Sequence, residues 1–278
     1  MIKTIVVHID DSPSQHSRLH AAAVLAEEWD ARLVASAATG LAPRDYNYMD
    51  GALTGPLPLV RYDELREAAR QRLERGLAQA RRLGAGQIEA RLTEDSPENA
   101  LILQARYADL VITSQLPAAG ERARLVTMLP EYVALNSPRP VLVVPDTYDG
   151  QPVGGTVIVG WDGSMEATRA LTAALPILQR ASSVLLALFN PDTTSGLHGE
   201  QPGADMALYL ARHGIRVEVF SQRTEAPIGQ ALLGLARDTE AGLIVAGCYG
   251  HSRYREWLLG GVTYSLLSHA QIPVLFAH

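Results

Sequence analysis

Short apolar, β-branched runs recur along this chain, and segments with helical spacing fill the intervals between them. Thr4–Asp10 is such a run, and a parallel strand buried on both faces has this pattern. Leu19, Ala22, Ala23 and Ala26 follow at helical spacing, with Ser12 or Ser14 placed to cap that helix. Arg32–Ala37 predicts a second strand, Asp63–Leu83 an Arg/Glu-rich helix, Ile88–Leu92 a third strand and Pro97–Tyr107 a further helix. Leu110–Ser114 and Val141–Val144 predict strands four and five, with a helix near Glu121–Leu135 between them. The second half predicts strands at Thr156–Trp161, Val184–Phe189, Val217–Phe220, Leu243–Ala246 and Val274–Ala277, again with helices between.

The two halves are copies. TIVVHIDDSPS from Thr4 returns as TVIVGWDGSME from Thr156, a shift of 152. DLVITS from Asp109 returns as GLIVAG from Gly242, and PVLVV from Pro140 as PVLFA from Pro273, both shifted by 133. The first copy therefore carries extra residues. The loop between Thr39 and Tyr62 holds them, with Tyr46, Tyr48 and several Gly and Pro breakers, and it reads as a lid, a packing arm or a surface insertion. Asp146–Gly155 reads as a short polar linker.

Alternating strands and helices imply an α/β fold. We expect two tandem doubly wound (Rossmann-like) domains, 1–146 and 155–278, each a five-stranded parallel sheet flanked by helices. Ligands of such sheets bind beyond the carboxyl ends of the strands, where strand order reverses. The final strands, Val141–Val144 and Val274–Ala277, are expected at sheet edges, which invite pairing. That suggests an internal pseudo-dimer of the halves and a homodimer of whole chains.

Composition narrows the chemistry. A net charge of −6 argues against general binding to nucleic acid or a membrane surface. The apolar runs are too short to span a bilayer, and Met1 leads almost directly into a strand, with no signal segment. Cys248 is the only cysteine, so no disulfide forms within the chain and a reducing, cytoplasmic setting is expected. Among the 24 basic residues Lys3 is the only lysine, which excludes a Walker P-loop and leaves no internal lysine for Schiff-base chemistry.

The candidate site follows the fourth strand of the second copy, in GCYGHSRYREWLLGGVTYSLLSHA. Gly247 is expected to let the backbone turn, Gly250 to admit a ligand closely, and Gly260 and Gly261 to precede a helix with free N–H groups. Thr263 adds a hydroxyl, and Asp162 follows the first strand, where a carboxylate can accept from a ribose. The first copy has Ser114, Pro117 and Thr127 in place of the glycines.

On these residues the chain resembles the universal stress protein family in its tandem form, over nearly its whole length. Gly247, Gly250 and Gly260 match the Gly-x2-Gly-x9-Gly-(Ser/Thr) pattern of ATP-binding members, and Asp162 matches the acid at the end of strand one. The resemblance implies adenine contacts from Trp161, Phe189 and Ala246. It implies phosphate contacts from Gly250, Gly260, Gly261, Val262 and Thr263. The pattern departs at Gly261, where Ser or Thr is usual. The expected ligand is ATP or another adenine nucleotide (AMP or ADP), with Mg as a companion ion. The expected role is stress-related and regulatory, with no strong catalysis; a nucleotide-free dimeric scaffold and a slow ATP hydrolase are the alternatives. Cys248 reads as a reactive thiol or a small loop filler, Arg253 and Arg255 as phosphate contacts or surface charges, and Trp257 as core packing. His16 and His20, at i and i+4, lack a third metal ligand nearby in sequence, so no metal site is expected.

Overall fold

The structure, a computed structural model, describes residues 1–46, 61–115, 129–191, 201–249 and 261–278. The first half runs β1 (Thr4–His8), α1 (Gln15–Trp29), β2 (Arg32–Ala38), α2 (Tyr62–Arg82), β3 (Ile88–Thr93), α3 (Pro97–Ala105), β4 (Leu110–Ser114), α4 (Leu129–Asn136) and β5 (Val141–Val144). The second runs β6 (Thr156–Gly160), α5 (Met165–Leu178), β7 (Ser183–Phe189), α6 (Ala204–Arg212), β8 (Val217–Gln222), α7 (Ile228–Asp238), β9 (Leu243–Gly247), α8 (Val262–His269) and β10 (Val274–Ala277). The expected helix near Glu121–Leu135 is described only from Leu129, and most of the 39–62 insertion lies outside the described residues.

The strands form one ten-stranded sheet in the order β3-β2-β1-β4-β5-β10-β9-β6-β7-β8. Neighbours within each half are parallel. At the centre β5 and β10 pair antiparallel, with Val143 opposite Val274, Leu142 opposite Leu275 and Val141 opposite Phe276. The expectation that these strands are edges holds for each half taken alone. In the whole chain each covers the other, because their open hydrogen-bonding rows are satisfied only by that pairing. The outer edges belong to β3 and β8, where exposed polar residues such as Arg91, Glu218 and Gln222 replace the continuous apolar runs of the inner strands.

Helices cover both faces. One core layer, with Leu19, Leu25, Leu171 and Leu210, lies under α1, α2, α5 and α6. The other, with Leu101, Val133, Leu232 and Leu266, lies under α3, α4, α7 and α8. The connection between halves is not a loose polar tether. Tyr148 and Val153 within it are buried, the Ser17 hydroxyl donates to the Asp146 carbonyl at 2.7 Å, and the Tyr148 ring meets His20 edge-on at 6.0 Å. Two apolar residues in a polar stretch are enough to seat it on α1.

In each half the chain builds outward on one side of its first strand and then returns to the other side: β1 lies between β2 and β4, and β6 between β7 and β9. The reversal points are therefore the β1/β4 and β6/β9 exits.

Phe276 is wholly buried at the central seam. Phe276→Ala is expected to cost about 3–5 kcal/mol, measured as a lowered denaturation midpoint for the whole chain. A change confined to the second half's spectroscopic signals would contradict a cooperative seam.

Candidate functional site

At the β6/β9 exit, Val159 is level with Val245, so the chain leaves both strands side by side at Asp162 and Gly247. Asp162 Oδ1 accepts the Ser164 N–H at 2.9 Å, which curls the turn ahead of α5. Ser164 then caps α5, its hydroxyl accepting the Ala167 N–H at 3.1 Å. Thus an acid and a capped helix start face the reversal point, an arrangement suited to a polar or anionic ligand.

Gly247 has a different reason from the expected free turn. A Cβ there would lie 2.6 Å from the Ala167 nitrogen and 2.8 Å from the Glu166 carbonyl carbon. Glycine is needed because the first turn of α5 presses directly on β9. The next residues are also tightly held. Cys248 is fully buried and donates its N–H to the Ala277 carbonyl at 2.9 Å. Thr263 is 2% exposed, and its hydroxyl oxygen accepts the Tyr249 N–H at 3.1 Å. The expected phosphate hydroxyl is therefore already an acceptor for the loop backbone, leaving its own proton as the donor for any ligand.

The strand-end residues divide between the two layers. Phe189 and Ala246 lie with the layer under α7 and α8, and Phe189 meets Phe220 edge-on at 5.9 Å. Trp161 packs on the opposite layer, under α5. Strand alternation enforces this, since neighbouring residues point to opposite faces. The structure thus sets Phe189 and Ala246 on one face, on strands separated by β6, and Trp161 on the other. Gly261 and Val262 begin α8, while Gly250, Gly260, Arg253, Arg255 and Trp257 lie outside the described residues. One feature of the rim had no strong signal in sequence. Asn190, at φ +49, exchanges two hydrogen bonds with the Thr224 backbone, at 2.9 and 2.8 Å, tying the β7 exit to the β8 exit.

The β1/β4 exit is built differently. Arg18, only 1% exposed, reaches across it. Its guanidinium donates to Asp10 Oδ1 at 2.7 Å, to the His8 carbonyl at 2.8 Å and to Ser114 Oγ at 2.6 Å. By the repeat, Asp10 corresponds to Asp162, Ser114 to Gly247 and Arg18 to Ala170. An internal cation holds the first half's acid, where the second half has two small residues. This also corrects the capping expectation. Ser14 makes no side-chain cap, and Ser12 gives both its N–H and its hydroxyl to Asp10 Oδ1, at 3.0 and 2.7 Å. The ionised carboxylate is the stronger acceptor.

Burial alone would raise the Asp10 pKa, but the Arg18 charge, His8 and the hydrogen bonds from Ser12 and Arg18 outweigh it and hold it at about 2. Burial, followed by Arg18, lowers His8 to about 3 despite the opposing pull of Asp10. His8 is thus neutral at ordinary pH beside Asp10 Oδ2, 3.6 Å away.

Elsewhere, a cavity of about 530 Å³ between α7 and α8 is lined by Leu233, Arg237, His269 and Ile272, toward the opposite end of the strands from Asp162. Among the described residues no three His, Cys, Asp or Glu side chains group as metal ligands, and no helix is long and apolar enough to cross a membrane.

A duplicated, mostly parallel sheet with helices on both faces defines a tandem α/β protein. The universal stress protein family profile matches residues 1–145 and 155–278, and the chain belongs to that family. Universal stress protein Slr1230 of Synechocystis sp. is 28% identical over 148 residues, covering 52% of this chain and 49% of its own length, so the match spans about half of that relative. A universal stress protein from Archaeoglobus fulgidus DSM 4304 shares the fold over 99% of this chain and 95% of its own, with a TM-score of 0.70 and 17% identity. One described as a putative universal stress protein, from Pseudomonas aeruginosa UCBPP-PA14, covers 99% of this chain and 93% of its own at a TM-score of 0.56 and 16% identity.

Two outcomes test the first half's cluster. The folded chain keeps His8 neutral down to about pH 3, whereas an unfolded histidine takes up its proton near 6.5. Stability therefore falls as pH drops from about 6.5 toward 3. The Asp10 contribution is full above 3.8 and lost as pH falls through about 2. His8→Asn should flatten the fall of the urea midpoint between pH 6.5 and 4. Arg18→Met should cost about 3 kcal/mol at neutral pH, because it strands a partly buried carboxylate; a loss below about 1 kcal/mol in urea titration would show that Asp10 is satisfied without it.

Proposed function

We propose that this chain binds an adenine nucleotide, ATP or its AMP and ADP relatives, at the β6/β9 exit of its second half, and acts as a regulatory stress-response protein in the cytoplasm. In this reading residues 1–146 and 155–278 are two domains with unequal duties. The observation that carries it is the contrast between equivalent exits: Arg18 occupies the first, while Asp162, the capped start of α5 and Gly247 meet at the second. Membership of the family and the Gly247, Gly250, Gly260 spacing support the adenine nucleotide in particular.

The residues assign themselves by chemistry. Asp162 is placed to accept from ribose hydroxyls. Phe189 and Ala246 offer an apolar surface to a base. Gly250, Gly260, Gly261 and Val262 would supply backbone N–H groups to phosphates, and Thr263 its remaining proton. Mg would accompany a triphosphate by binding its oxygens. The only lysine, Lys3, is bound to Asp30 and the Trp29 and Asp30 carbonyls, far in the fold from the β6/β9 exit, so no lysine is placed to neutralise a γ-phosphate. Slow hydrolysis is the most the described groups would support. Whole chains would associate as homodimers.

The rival reading, a nucleotide-free scaffold, is favoured by one observation, the engagement of the Thr263 hydroxyl by Tyr249. Calorimetric titration separates the two. We expect one ATP per chain, a rise in the thermal midpoint with ligand, and a roughly tenfold weaker affinity for Asp162→Ala. Absence of heat and of any midpoint shift at millimolar ATP, with and without Mg, would falsify the nucleotide reading and leave the scaffold.

A further inference from the structure

The loop leaving β9 is wired into the other half of the molecule. Tyr249 adopts φ +57, in the left-handed region that side-chain-bearing residues seldom occupy. Such a conformation persists where its surroundings over-determine it. Two contacts do so. The Tyr249 N–H is held by Thr263, and the phenol donates to Glu131 Oε1 at 2.6 Å. Glu131 stands in the first turn of α4, 118 residues earlier and in the first half. Its second oxygen, Oε2, is buried and has no hydrogen-bond partner among the described residues. The Tyr249 side chain is 9% exposed, and a charged hydrogen bond so shielded is stronger than one in water.

The sequence of the repeat provides no counterpart in the opposite sense. The repeat places Leu116 where Tyr249 would be and Tyr264 where Glu131 would be, and a leucine cannot donate. The halves are therefore unequal in this respect as well: one supplies the carboxylate, the other the loop.

We propose that Glu131 is a positioning residue for the second half's ligand loop, acting through Tyr249. The first half, its own exit occupied by Arg18, sets the backbone of Cys248–Tyr249, the residues that lead from β9 toward the glycine positions of the sequence pattern. For its ligand consequence this rests on the nucleotide reading; for its effect on the loop it does not.

Cys248 makes the two separable. It is the only cysteine, it is fully buried, and it immediately precedes Tyr249, so its reaction with a dithio-nitrobenzoate probe reports opening of the backbone at the β9 exit, with the unfolding midpoint distinguishing this from global unfolding. The whole chain is compared with Tyr249→Phe, Glu131→Ala, the two combined, and Glu131→Gln, which keeps an acceptor oxygen. Tyr249→Phe and Glu131→Ala should each speed labelling about tenfold or more, the combination no further than either alone, and Glu131→Gln should react like the parent. The unfolding midpoint should move little in comparison. In parallel, ATP affinity should fall about tenfold in the same variants and recover in Glu131→Gln. Equal labelling rates across the set overturn the proposal, as does ATP bound equally by parent and variants. A parent that binds no ATP removes the nucleotide reading, and the labelling rates still decide whether Glu131 holds the loop.

Discussion

The antiparallel pairing of β5 with β10 is the constraint on which the rest of this molecule depends. Without it each half is a five-stranded sheet with an open inner edge. With it the chain becomes one ten-stranded layer whose outer rims are the polar, partly exposed strands β3 and β8. The same pairing sets the β4 and β9 exits on either side of one seam. The Tyr249 phenol can then reach Glu131, and the Gln115 amide can reach the Ala270 carbonyl at 3.0 Å. A second tie lies on the other face, where the Arg180 guanidinium stacks 3.7 Å above the Trp29 ring and donates to the Glu28 carbonyl.

Duplication gave two equivalent exits, and side-chain size separated them. Arginine and serine at positions 18 and 114 fill one exit with a buried, hydrogen-bonded charge. Alanine and glycine at 170 and 247 let α5 settle directly on β9 at the other. The energetic styles differ too. A buried arginine must be compensated on all sides or it destabilises, and here a carbonyl, a hydroxyl and a carboxylate compensate it. Glycine at a helix–strand contact needs no such compensation and acts through distance alone. In the universal stress protein family to which this chain belongs, its halves thus form a closed copy and a copy whose acid, Asp162, remains at the surface.

Much of the architecture was legible beforehand because its signals are local. Continuous apolar runs gave the inner strands to within a residue or two, and the 152 and 133 shifts exposed the duplication. The site was legible in part. Strand-order reasoning pointed to the β6/β9 exit, and Asp162 and Gly247 follow or end those two adjacent strands. Trp161 was grouped with Phe189 and Ala246 because all three end strands, yet strand parity sends it to the other layer. Ser12 and Ser14 had the right spacing to cap α1, but a neighbouring carboxylate outcompeted the helix for Ser12. Nothing adjacent to Arg18 in sequence marks it as a buried charge.

What the sequence by itself determined is periodicity: which segments are strands, which are helices, that the unit occurs twice, and which copy kept glycines where a backbone must come close. Those properties depend on residues a few positions apart, so order along the chain carries them. Only the tertiary structure decided that β5 would find β10, that Arg18 would cross to Asp10 and Ser114, and that Tyr249 would be held by a carboxylate from the other half. Each joins groups brought together by the sheet rather than by the chain. Their strength comes from burial and from mutual distance, quantities that exist only after folding has placed both partners.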